Sequence, residues 1–368
     1  MGTSKNPITQ KMQEGILSGI FPGAVLLVSH NGKITFHKSF GLAQQVPSQI
    51  PLTINTLFDL ASLTKPLATA AAITRLITSK QIRLNHPISQ FFDAFKTEEK
   101  RKITIAHLLH HSSGLPAWKP YYEEIIRQDK KKSGFLGSDA AKQKVYEMAA
   151  NEALIGKPGA ACLYSDIGFI LLGAIIEKVS GLPLPLFCEN QIFSKLKCKK
   201  TGFPLMGKTT KGIFAATENC PWRKRVICGQ VHDDNAYAMG GAAGHAGLFS
   251  TAKDVWLLVT DWMASIKEKG TIDSSLAKKM ITRKVRPKGG SFGLGWDTPS
   301  GESASGHFLS KRSFGHLGFT GTSVFSDCVN DLIVVLLTNR VHPTRNNDKI
   351  KAFRPEIHDL IFKEVIGG

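Results

Sequence analysis

The C-terminal third of the chain contains a run that has no polar face. Residues 332–337 are apolar at every position, and a strand of this kind must be covered on both sides, which predicts a central place in a sheet. Near the N-terminus, residues 23–30 and 33–40 flank Asn31-Gly32, the strongest short signal for a β-hairpin. The patterns therefore predict one antiparallel sheet that is built from both ends of the chain.

Helical periodicity fills the middle of the chain. Helices are predicted at residues 6–18, 66–82, 104–110, 138–151, 168–179, 183–195, 251–266, 276–282 and 354–365, and a short helical piece with a turn at residues 85–95. Further strands are predicted at residues 291–296, 313–318 and 322–327, and a long polar loop at residues 204–231. We expect an α+β fold in which residues 1–66 and 240–368 form a sheet domain and residues 67–239 a mainly helical insertion, with the cleft at their junction.

Composition is that of a globular protein and narrows the range of partners. Of the 368 residues, 42% are hydrophobic and 21% are charged, and the formal net charge is +18. The basic clusters at residues 127–132, 195–211 and 223–225 are expected in loops and lack the interleaved aromatic residues of a nucleic-acid-binding surface. Nucleic acid is therefore not an expected partner, whereas a solvated lysine-rich surface and attraction to an anionic wall polymer or substrate both stay open.

No segment predicts membrane insertion or a disulfide framework. The longest apolar run, residues 168–176, is too short to cross a bilayer. Residues 1–10 show no signal peptide, so we expect the chain as written in the cytoplasm, or in the periplasm if a signal segment has been removed. The six cysteines form no C-x-x-C pair and match no zinc module, so they are expected to be free, buried thiols.

The segment Ala61-Ser62-Leu63-Thr64-Lys65 places a serine and a lysine three residues apart where a helix begins. These positions share a helix face, so the lysine amine can lie against the serine hydroxyl and activate it, if burial or nearby cations keep the amine neutral. Backbone N–H groups at a helix start also suit a developing oxyanion. Alone, the spacing favours a plainer interpretation, a helix cap followed by a solvated lysine.

Two further elements accompany this pair. Tyr164 precedes a predicted buried helix and can project into a cleft, although a core tyrosine followed by Asp166 as the helix N-cap explains the same pattern. His316-Leu317-Gly318-Phe319 lies in a strand context, where glycine lets a ligand or another backbone approach closely. A β-bulge with a surface histidine is the alternative there.

Taken in order, the serine–lysine pair, Tyr164-Ser165-Asp166 and His316-Leu317-Gly318 resemble the serine β-lactamase and penicillin-binding protein superfamily. The resemblance covers nearly the whole chain and points to the class C β-lactamase-like branch, with its DD-carboxypeptidases, muropeptide amidases and serine esterases. Other segments that carry it are residues 107–115, 164–181 and 240–251. It implies the β-lactamase/transpeptidase-like fold, without a metal or an organic cofactor.

The resemblance also implies a role for individual residues. Ser62 would attack the substrate carbonyl, and Lys65 would accept or relay its proton. Tyr164 would carry a proton to the leaving group and later activate water. The N–H groups of Ser62 and Phe319 would form the oxyanion hole.

The chain departs from class C β-lactamases at two positions. Asp166 stands where asparagine is usual and would raise the pKa of Lys65, which opposes a role as neutral base. His316 stands where lysine is usual and would be a weaker, pH-dependent cation. Both changes disfavour efficient β-lactam hydrolysis, but neither opposes acylation of the serine.

A polar segment, His232-Asp233-Asp234-Asn235, precedes the glycine-rich residues 240–251. It either lines the cleft rim and recognises a polar group of the substrate, or forms an Asx-type turn before a helix. Amidases that act on muropeptides form a related branch with a segment of this kind, which makes sugar or peptide recognition at the rim one interpretation.

We therefore expect a monomeric active-site serine hydrolase that forms an acyl-enzyme. Its substrate would be a small molecule or a peptidoglycan-derived peptide, cleaved as by a DD-carboxypeptidase or an amidase, and β-lactams would bind covalently. A small-ester esterase or weak β-lactamase of the same fold is one alternative, and a penicillin-binding sensor with little turnover is another.

Overall fold

The computed structural model describes residues 6–207, 212–284, 287 and 290–367. In this part of the chain, six strands form an antiparallel sheet with the order β3-β2-β1-β10-β9-β8, and two short strand pairs, β4–β7 and β5–β6, lie outside it. The strands are β1 Gly23–His30, β2 Lys33–Gln44, β3 Ile50–Pro51, β4 Phe58–Asp59, β5 Asn219–Cys220, β6 Arg225–Val226, β7 Phe249–Ser250, β8 Ser313–Leu317, β9 Ser323–Asp327 and β10 Leu332–Thr338.

Strands from both ends of the chain meet at the centre of the sheet, as predicted. The β1–β10 pair runs from Ala24 opposite Thr338 to His30 opposite Leu332, and every position of β10 is buried. The predicted hairpin joins β1 to β2, and Asn31 and Gly32 both have a positive φ, as a tight two-residue turn requires.

Helices cover both faces of the sheet. They are α1 Pro7–Leu17, α2 Ala71–Thr78, α3 Ile105–Leu109, α4 Tyr121–Lys131, α5 Asp139–Asn151, α6 Asp166–Ser180, α7 Leu184–Cys188, α8 Asp234–Ala238, α9 Ala252–Ile266, α10 Ser274–Ile281 and α11 Ile350–Val365. The side chains of Asn6, Ser138, Ser165 and Thr251 accept a backbone N–H at the start of α1, α5, α6 and α9. Short polar side chains thus fix several helix starts where unpaired N–H groups need an acceptor.

Alternate residues of β1 face two different hydrophobic clusters. Val25 and Leu27 belong to the larger cluster, which includes residues of α2, α6 and α9. Leu26 and Val28 belong to a smaller cluster formed with α1 and α11. Because the larger cluster continues from the sheet into the helices, the helical region shares its core with the sheet. The division into residues 1–66 with 240–368 and residues 67–239 stays a prediction.

Two predictions about secondary structure are wrong. Residues 291–296 form no strand: Phe292 makes only an isolated bridge to Asp297, and Trp296 is fully buried against Trp262 and Phe314. The cluster at residues 127–132 is not a loop, because most of it forms the last turns of α4. Sequence analysis missed α4 because polar residues outnumber its few buried ones.

The long loop predicted at residues 204–231 contains only the short β5–β6 pair among its described residues, and residues 208–211 of the basic cluster lie outside them. All six cysteines are free, as predicted, but only Cys188, Cys198 and Cys220 are buried, and Cys228 is exposed. In the described ranges, no single helix has the length and apolar composition to cross a bilayer. Helix α6 has that length and composition only when it is counted together with Leu184–Phe193, and the two segments are bent by 74° relative to each other.

The central strand should dominate stability. Leu336 is fully buried in β10, so Leu336→Ala is expected to lower the free energy of unfolding by about 2–5 kcal/mol. Leu17 is 86% exposed on α1, and Leu17→Ala should change the free energy of unfolding by less than about 0.5 kcal/mol. Urea unfolding followed by circular dichroism measures both, and equal effects would contradict a central place for β10.

Candidate active site

Ser62 lies in a tight, irregular turn rather than in a regular helix. Residues Ala61–Leu63 form one 3-10 turn, Lys65–Ala70 form a π-helical segment, and α2 follows. Ala61 has a φ of 46°, a conformation that a β-carbon disfavours, and Asp59 Oδ1 accepts its N–H at 2.9 Å. The predicted helix at residues 66–82 is therefore partly wrong: its first turns are π-helical, and α2 ends at Thr78. Such π-helical turns are frequent at functional sites.

Lys65 is fully buried, and its ammonium group lies against three oxygen atoms. Nζ donates to Ser62 Oγ at 2.9 Å and to the His245 carbonyl at 3.1 Å, and it lies 2.6 Å from Asp166 Oδ1. Burial alone would lower the pKa of Lys65, but the charges and hydrogen bonds of Asp166 and Tyr164 outweigh burial and raise it. The predicted effect of Asp166 is confirmed, and Lys65 carries a proton at neutral pH.

Asp166 is the first residue of α6, but it does not cap the helix. Ser165 Oγ accepts the Gly168 N–H at 3.2 Å and supplies the cap, so the alternative in which Asp166 is the N-cap is wrong. The Asp166 N–H donates to the Ala117 carbonyl at 2.8 Å, which ties the start of α6 to a loop and leaves the carboxylate facing Lys65.

Tyr164 stands beside the serine–lysine pair. The lysine Nζ lies 4.9 Å from the centre of the Tyr164 ring, and Phe292 packs against that ring at 5.7 Å. Although part of the ring is exposed in the cavity, dense surroundings raise the pKa of the Tyr164 hydroxyl, while Lys65 and Ser62 lower it by a smaller amount. The phenol is therefore neutral at neutral pH.

His111 holds the tyrosine in place. Its carbonyl accepts the Leu163 N–H at 2.8 Å, its Nδ1 accepts the Ser165 N–H at 3.0 Å, and its ring lies 4.5 Å from that of Tyr164. Both neighbours of Tyr164 are thus bound to one buried residue, which agrees with the packing role that the sequence suggested for the histidines at residues 107–111.

His316 is 3% exposed, so the alternative of a surface histidine is wrong. Nδ1 lies 2.8 Å from the Leu317 carbonyl and donates to it, while Nε2 has no partner among the described residues. Burial, assisted by the charge of Lys65, lowers the pKa of His316 to about 3. The expectation of a pH-dependent cation is therefore corrected: the imidazole is neutral near pH 7.

Gly318 lets the β8–β9 turn approach the serine turn. Its N–H donates to the Thr322 carbonyl at 2.7 Å, and a β-carbon here would lie 2.5 Å from the Leu60 carbonyl oxygen. Within the described ranges, no acceptor takes the Phe319 N–H, and the Ser62 N–H stands in a first helical turn, where no intrahelical acceptor exists. The two N–H groups named for the oxyanion hole are therefore both unpaired here.

His232 and Asp233 lie in the second cavity beside Ser62, and Asp233 also caps α8. The Asp233 carboxylate accepts the Ala236 N–H at 2.7 Å and lies 2.9 Å from His245 Nε2. Burial would raise the pKa of Asp233, but His245 and this N–H hold it well below its usual range. The cap and the cleft-rim interpretations therefore describe one and the same side chain.

Two cavities meet at the nucleophile position. The first, about 430 Å³, has a lining that includes Ser62, Tyr164, Phe292, His316, Phe319 and Arg354. The second, about 310 Å³, has a lining that includes Ser62, Trp118, Asp166, His232, Asp233 and Arg345. The structure thus brings together every site residue named from the sequence. In the described ranges, no three His, Cys, Asp or Glu side chains are arranged to hold a metal ion.

Sequence analysis did not single out two arginines of the first cavity. Arg340 follows β10, and Arg354 lies in the first turns of α11, where its side chain is buried. A charged residue on the buried face of an amphipathic helix is the one signal that points to Arg354. Arg340 has no such signal, because it follows the last strand directly.

The sequence matches the family described as Beta-lactamase over residues 8–358. The chain belongs to the beta-lactamase family. Proteins of Salmonella typhimurium and Salmonella heidelberg named "Putative D-alanyl-D-alanine carboxypeptidase" are 34% identical over 362 residues, which cover 90% of this chain and 81% of theirs. The predicted class of enzyme, a serine hydrolase, is thereby confirmed.

Solved structures confirm the beta-lactamase fold. An octameric penicillin-binding protein homologue from Pyrococcus abyssi has a TM-score of 0.75 at 21% identity, over 99% of this chain and 78% of its own. EstCE1, a hydrolase with promiscuous acyltransferase activity, has a TM-score of 0.75 at 24% identity, over 96% of this chain and 97% of its own. The simvastatin synthase of Aspergillus terreus has a TM-score of 0.73 at 17% sequence identity, and the match covers 98% of each chain. The monomeric state stays a prediction.

The contact between Lys65 and Asp166 should set the pH dependence of the enzyme. Asp166→Asn removes the charge that raises the pKa of Lys65, while burial keeps lowering it. The rising limb of kcat/KM for p-nitrophenyl acetate should therefore move to lower pH. Glu177→Gln breaks an ion pair with Lys142 outside both cavities and is the control. An unmoved limb in Asp166→Asn would contradict this reading of the charge state.

Proposed function

We propose that this serine hydrolase removes the terminal D-alanine from peptidoglycan-derived peptides through an acyl-enzyme on Ser62, and that β-lactams acylate the same serine. The observation that carries the proposal is the state of Arg354, which lines the larger cavity together with Ser62. The carboxypeptidase names of the 34% identical relatives support the same substrate class.

Arg354 is a buried cation that has no carboxylate within 4 Å among the residues that the structure describes. It is 6% exposed, Nη2 donates to the Thr322 carbonyl at 3.1 Å, and Nε has no partner among the described residues. Burial and the charge of Arg340 lower its pKa to about 10, so it stays charged at neutral pH. Because buried charges are normally paired, the terminal carboxylate of a peptide is a fitting ligand. A carboxypeptidase substrate carries that group one residue beyond the bond it loses.

The reaction would start from an ammonium at Lys65, a carboxylate at Asp166 and a neutral phenol at Tyr164. Because these groups lie in contact, they titrate as a unit. Once the unit has lost one proton, it can take up the Ser62 proton as Oγ bonds to the carbonyl carbon. Tyr164 would then protonate the leaving amine as the C–N bond breaks. Water, deprotonated by the same unit, would attack the ester carbonyl, and the unit would return that proton to Ser62 Oγ as the C–Oγ bond breaks.

The unpaired N–H groups of Ser62 and Phe319 would stabilise the oxyanion of both tetrahedral intermediates. Donors that are already in place act where charge develops and need little reorganisation, which makes this kind of contribution large. The first cavity would hold the leaving D-alanine, and the second the acyl part of the peptide.

A small ester is the second candidate substrate. Its support is the neutral His316, because the cation usual at this position in class C β-lactamases is missing and the cavity wall there is largely aromatic. An amidase that cleaves between sugar and peptide would place its sugar in the polar second cavity.

The bond that is cut can be read directly. Incubation with a muramyl pentapeptide should release D-alanine and a tetrapeptide, both identified by mass spectrometry, and Ser62→Ala should release neither. Release of the whole peptide from the sugar would instead support the amidase, and turnover of p-nitrophenyl esters alone the esterase. A fluorescent penicillin should add its mass to the wild type but not to Ser62→Ala.

The role of Arg354 can be tested with two peptides that differ only at the C-terminus, one a carboxylate and the other a carboxamide. The wild type should prefer the carboxylate, and Arg354→Gln should lower kcat/KM for this peptide by about 10- to 100-fold, since a charged hydrogen-bonded pair is lost. Turnover of the amide should change little.

Lys351→Gln serves as the matched control, because it removes an exposed cation, paired with Asp348, from the same cavity. It should keep the preference for the carboxylate. An Arg354→Gln enzyme with the same preference as the wild type would show that the carboxylate binds elsewhere.

A further inference from the structure

Arg340 is a buried arginine whose guanidinium donates hydrogen bonds to backbone carbonyls. It is 9% exposed, and in the described ranges no carboxylate lies within 4 Å of its guanidinium. Nε and Nη2 donate to the Phe319 carbonyl at 3.0 and 2.5 Å, while Nη1 donates to the carbonyls of Arg345 and Asn347 at 3.0 and 2.5 Å. Unlike Arg354, it has every guanidinium nitrogen bound to a backbone carbonyl, and these four bonds use four of its five N–H groups.

Arg340 Nε and Nη2 both donate to the carbonyl of Phe319. The N–H of this same residue is unpaired beside Ser62. Phe319 has φ and ψ as its only soft backbone dihedrals, so its N–H direction depends on how the peptide units on each side are held. The Gly318 N–H is fixed on the Thr322 carbonyl at 2.7 Å, and Arg340 fixes the unit on the other side. The N–H therefore lies between two anchored points.

The same turn is tied to the nucleophile segment. Thr320 Oγ1 donates to the Asp59 carbonyl at 2.7 Å, and Thr322 Oγ1 donates to the Leu60 carbonyl at 3.0 Å. These bonds set the distance between the turn that carries Phe319 and the turn that carries Ser62. The Gly318 carbonyl, which shares a peptide plane with the Phe319 N–H, accepts the Gly321 N–H at 3.1 Å. Arg340 adds a second constraint from the other side of Phe319, through the Phe319 carbonyl.

We propose that Arg340 is a positioning residue of the oxyanion hole, which holds the Phe319 carbonyl and thereby aims the Phe319 N–H at the substrate carbonyl oxygen. The guanidinium does not touch the reacting atoms. The inference rests on the acyl-enzyme chemistry of the proposed function, but not on the identity of the peptide substrate.

The test compares p-nitrophenyl acetate with its thiono analogue, in which sulfur replaces the carbonyl oxygen. Sulfur accepts hydrogen bonds poorly, so a working oxyanion hole favours the oxygen ester, and the ratio of the two kcat/KM values reports hole alignment. Arg340→Met should lower kcat for the oxygen ester by about 10- to 100-fold and change KM far less. The ratio should move toward that of alkaline hydrolysis.

Arg340→Lys is the second variant, because it keeps the charge and one donor and loses the planar fork. The ratio of its two kcat/KM values should lie between that of Arg340→Met and that of the wild type. Arg75→Met is the control for lost stability: Arg75 donates to the Thr271 carbonyl and lines neither cavity beside Ser62. It should leave the ratio unchanged, and circular dichroism checks the fold of each variant.

The possible outcomes separate the two proposals. An unchanged ratio in both Arg340 variants, with Ser62-dependent turnover intact, overturns the role of Arg340 alone. A shift of the same size in Arg75→Met overturns it too, because the effect would then follow general destabilisation. Failure to release D-alanine while the ester is still hydrolysed removes the peptide substrate and leaves this inference standing. A wild type in which Ser62 supports turnover of neither the ester nor the pentapeptide overturns both.

Discussion

The buried contact between Lys65 and Asp166 decides both the shape and the charge of the cleft. It joins the segment after the serine to the start of α6, about 100 residues further along the chain. Breaking a buried pair of this kind by removing one partner typically costs about 3–5 kcal/mol, because the remaining charge is left without compensation. The pair therefore holds two walls of the site together, and it also makes the lysine an ammonium, so proton transfer has to involve its neighbours.

Short-range patterns predicted the scaffold because they depend on neighbours in sequence. The apolar residues 332–337 and the Asn31-Gly32 turn identified the two central strands, since burial and turn geometry are local properties. The spacing of Ser62 and Lys65 allowed their contact, which is 2.9 Å in the structure, but the spacing alone favoured a solvated lysine, and only the motifs further along the chain pointed to the contact. Residues 291–296 show the limit of such patterns. Large apolar residues at the spacing of a strand also occur where each side chain packs separately into a core formed by helices.

The arginines of the first cavity could not be predicted for a different reason. Arg340 binds the carbonyl of Phe319, 21 residues away, and Arg354 binds that of Thr322, 32 residues away. Every residue type has a carbonyl, so such a partner leaves no trace in the sequence. The neutral state of His316 is hidden in the same way, because it follows from the degree of burial and from the nearby Lys65 rather than from residue type.

The pairing of β1 with β10 also has a consequence for biosynthesis. A ribosome releases the β1–β2 hairpin some 300 residues before the strand that completes it. During that interval one edge of β1 has no partner, and an apolar strand with an open edge is a site for association with other chains. The sheet cannot close before β10 has been translated, so a large share of the native contacts forms in one late step, and we expect the nascent chain to depend on holding chaperones.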